Sequence, residues 1–442
     1  MSAEFHELTL STLTYGGEAL GRLDDPQNGT DGRVVFVPFG LPGERVRVRL
    51  KEERRGFVRG ELVEVLDPSP DRVPPRCKHF FTPIASDAST NAGEKAGGGR
   101  GEACGGCQYQ HISYEAQLEA KAGILRDQLR RIGRIENPQV AKTVASPNPW
   151  NYRNHMQFHL TKKGELGYVR ASPGPDRSEA VLAIDECHLP EPSINSLWPQ
   201  LEFEPDTGIG RVSLRTGAEG EMMLILESNS PDTPELEVEA GISVVHTFEE
   251  SSIVIAGEDH LTIHILDRDF RVSALSFFQV NTPIAEKIIH YLLAHLPISP
   301  ATNLLDVYCG VGLFSAFLAP RCKRIIGIES SPHACDDFII NLDDFDNVDL
   351  YEGRAEDVIL HLEVKPDIVL VDPPRAGLER GALDGILRLN PRTLAYVSCD
   401  PSTLARDAGR LVNGGYRLVE VTPFDLFPQT YHIESVSLFE KR

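Results

Sequence analysis

From residue 271 to its C-terminus the chain alternates short apolar runs with helix-length segments, and that period dictates a layered fold. The runs are NLLDVY (303–308), RIIGIE (324–329), VDLYE (348–352), DIVLVD (367–372), TLAYVS (393–398), YRLVEV (416–421) and IESVSLF (433–439). Strands that are apolar on both faces and separated by helices form a mostly parallel, doubly wound sheet. About a dozen residues separate the last two runs, too few for a crossover helix, so the final strand is expected to be antiparallel. Thr282-Pro283 supplies an N-cap and a first-turn proline for a helix over 283–295.

Upstream the patterning changes. VVFVPF (34–39), ERVRVRL (44–50) and GFVRGELVEVL (56–66) alternate apolar with polar residues between Gly and Pro signals, which reads as a small β-barrel of the oligonucleotide-binding kind over 1–67. The arginines of ERVRVRL share one face, as a solvated surface or as a track for phosphates. Residues 67–75 form a stiff proline-rich linker. The region 68–270 reads as mainly β, with RVSLR, EMMLILE, SIVIAG and LTIHIL as strands and a Gly/Ser/Ala-rich surface loop at 85–101. It includes a helix capped by Ser113 and running to about Arg131, whose apolar positions Leu118, Ala122, Leu125, Leu129 and Ile132 give it a face to pack on the last domain, 271–442.

Composition sets limits on partners. Lys and Arg number 44 against 65 acids, a net charge of -21, which is an awkward balance for a nucleic-acid binder. The basic residues are local, however: 32–60 carries Arg33, Arg45, Arg47, Arg49, Lys51, Arg54, Arg55 and Arg59 against only Glu44, Glu52 and Glu53. Neither a membrane span nor a secretory leader is expected, so the reducing cytoplasm is the expected compartment. In that compartment clustered cysteines suggest metal binding or catalysis rather than disulfides.

Three strand ends carry the chemistry. The run 303–308 contains Asp306 and turns through Gly310 and Gly312 into a helix, at the edge where open α/β sheets bind cofactors. The next strand ends at Glu329, an acid placed to accept hydrogen bonds from ribose hydroxyls, so the pair points to a nucleoside cofactor. The run 367–372 leads into Asp372-Pro373-Pro374-Arg375, a pattern similar to methyltransferases that hold a planar base beside S-adenosylmethionine. Arg375 stands where amine-directed enzymes carry an aromatic, which argues against an amino target.

The run 393–398 leads to Cys399, ahead of a helix whose N-terminus can stabilise a thiolate. Carbon 5 of uracil is too weak a nucleophile to attack a sulfonium methyl. Thiolate addition at carbon 6 makes it an enolate, and a base must later remove the carbon-5 proton. Glu434, at the start of the last strand, is expected in the same crevice. Separately, Cys77, Cys104, Cys107 and Cys187 make a four-thiol set suited to zinc or to an iron–sulfur cluster.

SFFQVN (276–281), DVYCGVGLFS, DPPRAGL, SCDPSTLARD and HIES stand in the order and spacing of the RNA uracil-5-methyltransferases that make 5-methyluridine, and the chain resembles that family over nearly its whole length. The resemblance implies that Gln279, Tyr308, Glu329 and Asp372 contact S-adenosylmethionine or the target base, with Cys399 as nucleophile and Glu434 as general base. The barrel resembles the TRAM module of the branch that modifies 23S ribosomal RNA, in preference to the transfer RNA enzyme. That branch carries a [4Fe–4S] cluster on a similar pattern, CGGCQYQH included, which implies iron. One departure is the 26 residues between Cys77 and Cys104, where relatives have a few. Phe277 or Phe278 is placed either to stack on a flipped base or to join the core. Cys309, Cys322 and Cys335 read as structural.

The expected protein is thus a monomeric class I methyltransferase acting on structured RNA, with neither DNA nor membrane as partner. The alternatives are a transfer RNA uracil or cytosine carbon-5 enzyme, and a non-catalytic RNA-binding iron–sulfur protein.

Overall fold

Five N-terminal strands close into a barrel: β1 (Phe5–Leu13), β2 (Glu18–Arg22), β3 (Val34–Pro38), β4 (Arg45–Arg54) and β5 (Phe57–Asp67), in the order β1-β2-β3-β5-β4. The computed structural model describes residues 5–23, 32–54, 56–81, 103–171, 180–205, 207–234 and 241–442; the stretch 85–101 lies outside them. Alternation sends Val46 and Val48 of β4 inward with Leu8, Val35, Val37 and Val58, all buried. Arg45, Arg47 and Arg49 of β4 face outward, and each meets a carboxylate. Arg45 pairs with Asp67 at 2.8 Å, Arg47 with Glu7 at 3.0 Å and with Glu64, and Arg49 with Glu61. The stripe is therefore a ladder of cross-strand ion pairs, not an open track of cations.

A buried acid ties the linker to the barrel. Glu44, with no exposed surface, accepts from the Leu41 and Ser69 amides at 2.9 and 3.2 Å and from Arg72 Nε and Nη2 at 2.5 and 2.8 Å. Arg72 Nη2 also donates to the Phe39 carbonyl at 2.7 Å. Every lone pair that burial removes from water finds a donor, the condition under which a buried charge is tolerated.

Downstream lie α1 (Tyr114–Arg131), β6 (His155–Leu160), β7 (Leu166–Val169), β8 (Val181–Ala183), α2 (Pro192–Leu197), β9 (Ile209–Thr216), β10 (Met222–Ser228), β11 (Ser243–Phe248), β12 (Ser251–Ala256), β13 (His260–Ile265), β14 (Arg268–Ser273) and α3 (Thr282–His295). Ser113 stands just ahead of α1, where its carbonyl accepts from the Gln117 amide at 3.0 Å and its hydroxyl donates to Asp71 at 3.3 Å. The α3 cap is Asn281 in place of the expected Thr282, and its side-chain amide donates to Ser146 Oγ and the Leu426 carbonyl instead of capping. Leu125 and Leu129 are buried, but Ile132 is 46% exposed and ends the apolar face early.

The contacts divide the chain into two units. The first holds Met1–Ile124, Gly167–His188 and Phe427–His432; the second holds Leu125–Leu166, Leu189–Leu426 and Ile433–Arg442. Within the second, β9 pairs antiparallel with both β6 and β10, and β10 runs parallel to β11.

The second unit ends in β15 (Asn303–Val307), α4 (Leu313–Leu318), β16 (Arg324–Glu329), α5 (Pro332–Asn341), β17 (Val348–Glu352), α6 (Ala355–His361), β18 (Ile368–Val371), α7 (Arg380–Leu389), β19 (Thr393–Ser398), α8 (Pro401–Asn413), β20 (Tyr416–Phe424) and β21 (Glu434–Lys441). They form a seven-stranded sheet in the order β17-β16-β15-β18-β19-β21-β20. The first five are parallel, and β21 is antiparallel to both its neighbours, as its short connection requires. The strand order reverses between β15 and β18, the switch point at which such sheets leave a crevice.

Glu44→Ala is expected to destabilise the first unit by about 3–5 kcal/mol, because it leaves Arg72 and two amides without their acceptor. Urea denaturation should show the earlier transition; an unchanged midpoint would remove the clamp from the fold's supports.

Candidate active site

The expected site residues converge on one edge of the sheet. Asp306 sits near the carboxyl end of β15, Glu329 ends β16, Asp372 follows β18 and Cys399 follows β19. Because β21 runs the other way, its first residue, Glu434, reaches the same edge. The register pairs Ser398 with Ser435, so Cys399 and Glu434 are the next residues out on adjacent strands.

Burial governs the electrostatics here. Asp306 is buried; its Oδ2 accepts from Ser315 Oγ at 2.6 Å, while Oδ1 has no hydrogen-bond partner among the described residues. Desolvation, with Glu329 adding repulsion, raises its carboxyl to about 7. Asp372 is likewise pushed up to about 7, by burial first and then by Asp306. Burial and then Asp372 hold Glu434 well above the ordinary carboxyl range. The Cys399 thiol is pushed up to about 12, again by burial first and then by Glu434 and Asp372. Arg375 is the cation that opposes these shifts at both Cys399 and Glu434.

The loop carrying Arg375 is held from below by α8. Asp407, fully buried, accepts from the Leu378 amide at 2.9 Å and from Tyr396 Oη at 3.0 Å. Arg406 donates to the Ala376 carbonyl and Thr403 Oγ1 to that of Arg375, at 2.9 and 3.1 Å. Gly377 has φ +74°, and a Cβ there would lie 2.6 Å from Asp407 Oδ2, so the turn needs glycine twice over. The start of α8 does not serve Cys399 as expected. Asp400 Oδ1 takes the Ser402 and Thr403 amides at 2.9 Å each, so the helix end is neutralised by its own cap.

At the other end of the crevice Glu329 Oε2 accepts from the Gly310 amide at 3.0 Å and Oε1 from Ser331 at 2.8 Å. Tyr308 adopts φ +65° and Gly310 φ +54°, and nothing lies within 4 Å of where a Gly310 Cβ would be. Gly312, at φ +89°, packs so closely that a Cβ would meet Leu342 Cδ1 at 2.2 Å. Gln279 is buried, and Asn154 Nδ2 donates to its carbonyl at 3.1 Å. Phe277 is 69% exposed, whereas Phe278 is buried against Phe270. Of the two aromatics only Phe277 remains available for stacking.

The first unit gathers Cys77, Cys104, Cys107 and Cys187. Desolvation first, and then the neighbouring thiols, push the Cys77 and Cys104 thiols up to about 11 and hold buried Cys107 well above the ordinary thiol value. Gln110 Oε1 accepts from the Cys77 amide at 3.1 Å, and its side chain also bonds the Cys107 thiol. The Gly106 amide donates to Cys104 Sγ at 3.4 Å. Cys77 thus lies within electrostatic reach of the other three thiols.

Residues 240–442 match the family model described as tRNA (Uracil-5-)-methyltransferase, and 5–63 match the TRAM domain. An uncharacterized RNA methyltransferase of Thermosynechococcus vestitus is 32% identical over 98% of this chain and 97% of its own. One from Caldanaerobacter subterraneus subsp. tengcongensis is 33% identical over 99% and 98%. The chain belongs to the RNA uracil-5-methyltransferase family. Its fold is shared with the tRNA (uracil-54, C5)-methyltransferase of Pyrococcus abyssi, solved with S-adenosyl-L-homocysteine, at a TM-score of 0.70 and 23% identity over 98% of this chain and 99% of that one.

Two supports of this edge were not foreseen from the sequence. Asp407 stands inside the quoted run SCDPSTLARD, and an acid on the buried side of an amphipathic helix was the signal available. Arg375 was noted for what it is not, while its charge beside Cys399 and Glu434 needed the fold to be seen.

Asp306 gives a pH test of this edge. Its folded value lies above the ordinary 3.8, so the folded state binds the extra proton and loses stability as pH rises from about 4 to about 7. Asp306→Asn keeps an acceptor for Ser315 without the buried charge. It should melt with the wild type near pH 4 and several degrees above it near pH 8; equal melting at both would refute the raised carboxyl.

Proposed function

We propose that the protein methylates carbon 5 of a uridine in structured RNA with S-adenosylmethionine as methyl donor. The observation that carries this is Cys399 and Glu434 side by side where β19 and β21 run in opposite directions. In the reaction Cys399 loses its proton and its sulfur bonds to carbon 6, sending the double-bond pair toward the carbonyl oxygen as an enolate. Carbon 5 then takes the methyl group from the donor sulfonium. Glu434 accepts the carbon-5 proton, the C–H pair restores the double bond, and the thiolate leaves. Arg375 favours the charged forms of both residues.

On this reading Gln279, Tyr308, Asp306, Glu329, Asp372, Gly310 and Gly312 form the donor's crevice, and residues 271–442 hold the chemistry. The barrel over 1–67 binds RNA. A cleft of about 960 Å³ in the first unit supports this: Arg49, Lys51, Arg59 and Arg170 line it against Glu18 and Glu61, with Tyr15 and Tyr431 edge-to-face at 5.6 Å. Such a mixture of cations and aromatics suits phosphates and bases. Ribosomal RNA, 23S, is the preferred substrate on the TRAM module. Transfer RNA is the second reading, favoured by the Pyrococcus abyssi enzyme, whose fold spans the barrel too. Methyl transfer to each purified RNA, followed by nucleoside mass spectrometry, decides between them.

Glu434→Gln should let addition and methyl transfer proceed but block release, leaving a methylated protein–RNA adduct as a slow band on a denaturing gel. Cys399→Ala should abolish both adduct and product; turnover by that variant would sink the mechanism. Because Cys399 and Glu434 both sit above their ordinary values and both must act deprotonated, the wild-type rate should go on rising with pH on the alkaline side instead of levelling off near neutrality; a rate flat above neutral pH would contradict this.

The four thiols suit a [4Fe–4S] cluster held by Cys77, Cys104, Cys107 and Cys187 over 68–270. A tetrahedral zinc site needs sulfurs about 3.8 Å apart. No three of these lie within 4.8 Å of one another among the described residues. When bound, the cluster would supply a cross-link between remote segments, since methyl transfer is redox-neutral. Anaerobically purified protein should be brown with about four irons per chain; stoichiometric zinc in a colourless preparation would overturn the cluster.

A further inference from the structure

The connection between β20 and β21 is longer than its ends require. Adjacent antiparallel strands are ordinarily joined by about two to five residues, but here residues 425–433 intervene. The middle of that excursion, Phe427–His432, belongs to the first unit by its contacts. Its bonds there are specific and buried. Gln429 Oε1 accepts from Gln117 Nε2 at 3.0 Å and the Gln429 amide donates to Gln117 Oε1 at 3.0 Å, a reciprocal pair between a side chain of α1 and a residue 312 positions away. The Gln429 carbonyl accepts from the Gln108 and Tyr109 amides at 3.1 and 3.0 Å. The Phe427 carbonyl accepts from Lys121 Nζ at 2.9 Å, on a lysine with no exposed surface.

Two further observations show that this attachment constrains the backbone. Gln429 holds φ +68°, a conformation a non-glycine residue keeps only when its surroundings impose it. Gln117 Nε2 also donates to the Tyr109 and Ile112 carbonyls, at 3.2 and 3.0 Å, so its amide is fixed before Gln429 arrives. The receiving turn is the one that carries Cys104 and Cys107: Gln108 Nε2 donates to the Gly105 carbonyl at 2.6 Å.

Glu434 lies two residues beyond this segment. As the first residue of β21, it has ladder support only on its C-terminal side, through Ser435, and from Phe424 across the sheet. A strand's first residue frays unless something holds the chain ahead of it. We infer that Gln117, with the Gln108 and Tyr109 amides, positions the general base: by gripping Gln429 it fixes the entry into β21 and so the carboxylate of Glu434. This rests on the assignment of Glu434 as base in the proposed reaction. Cys399 and the cofactor crevice are built from other strand ends, so loosening the grip slows proton abstraction and leaves addition and methyl transfer in place.

The test separates those steps. Gln117→Ala removes the reciprocal pair; with S-adenosylmethionine and RNA it should lower turnover roughly tenfold, the scale of one or two lost hydrogen bonds, and should accumulate methylated adduct. Gln429→Ala, which loses only the side-chain half of the pair and keeps the backbone bonds, should show a smaller adduct fraction. Cofactor affinity, measured by calorimetry, should match the wild type in both. Glu434→Gln is the reference. If it traps adduct and the two glutamine variants lose turnover without trapping, or keep full turnover, the positioning role is wrong and the base assignment stands. If Glu434→Gln itself traps nothing, the base assignment fails and this inference fails with it.

Discussion

The reversal of β21 against β19 is the constraint on which the carboxyl edge depends. In a wholly parallel sheet the start of every strand lies at the opposite edge from its end, and Glu434 would sit a full strand length from Cys399. Running the last strand backward brings a first residue to where all the others bring their last. Acids then line one edge in strand order, from Glu329 through Asp306 and Asp372 to Glu434. Burial raises Asp306, Asp372 and Glu434, each acid adds repulsion to the next, and Arg375 is the cation that opposes the shift at Glu434. The placement of that arginine rests in turn on Asp407, a residue with no surface of its own.

How much of this the sequence disclosed follows from which interactions are local. The seven strand runs of the C-terminal sheet were legible because strands buried on both faces are apolar without interruption. Their ends were legible because Gly, Pro and acidic residues mark them. β1 and β2 were less so: FHELTLSTL buries only Leu8 and Leu10, and EALGR is short. The α3 cap was placed one residue late, because Asn281 spends its side chain on a partner remote in sequence, Ser146, and so carries no local capping signal.

The same boundary runs through the site. Cys399, Asp372 and Glu434 could be placed at one edge from strand order alone. The state of the thiol could not: a cysteine ahead of a helix reads as activated, yet Asp400 consumes the helix end and the neighbouring acids press the thiol upward. The Cys104–Cys107 turn is visible in the sequence; its hold on Gln429 is not, because nothing local in α1 marks Gln117 as the partner of a residue near the C-terminus.

The ion-pair ladder on β4 changes how that face would respond to a polyanion. A bare arginine stripe exchanges condensed counterions for phosphates, and its affinity falls steeply as salt is added. On β4 Arg45, Arg47 and Arg49 already hold Asp67, Glu7, Glu64 and Glu61. A phosphate arriving there would displace a tethered carboxylate rather than a mobile ion, and little of the binding free energy would come from ion release. For a chain of net charge -21, this would make contact on that face a matter of exchange and shape more than of attraction at a distance, with a dependence on ionic strength shallower than the number of its arginines suggests.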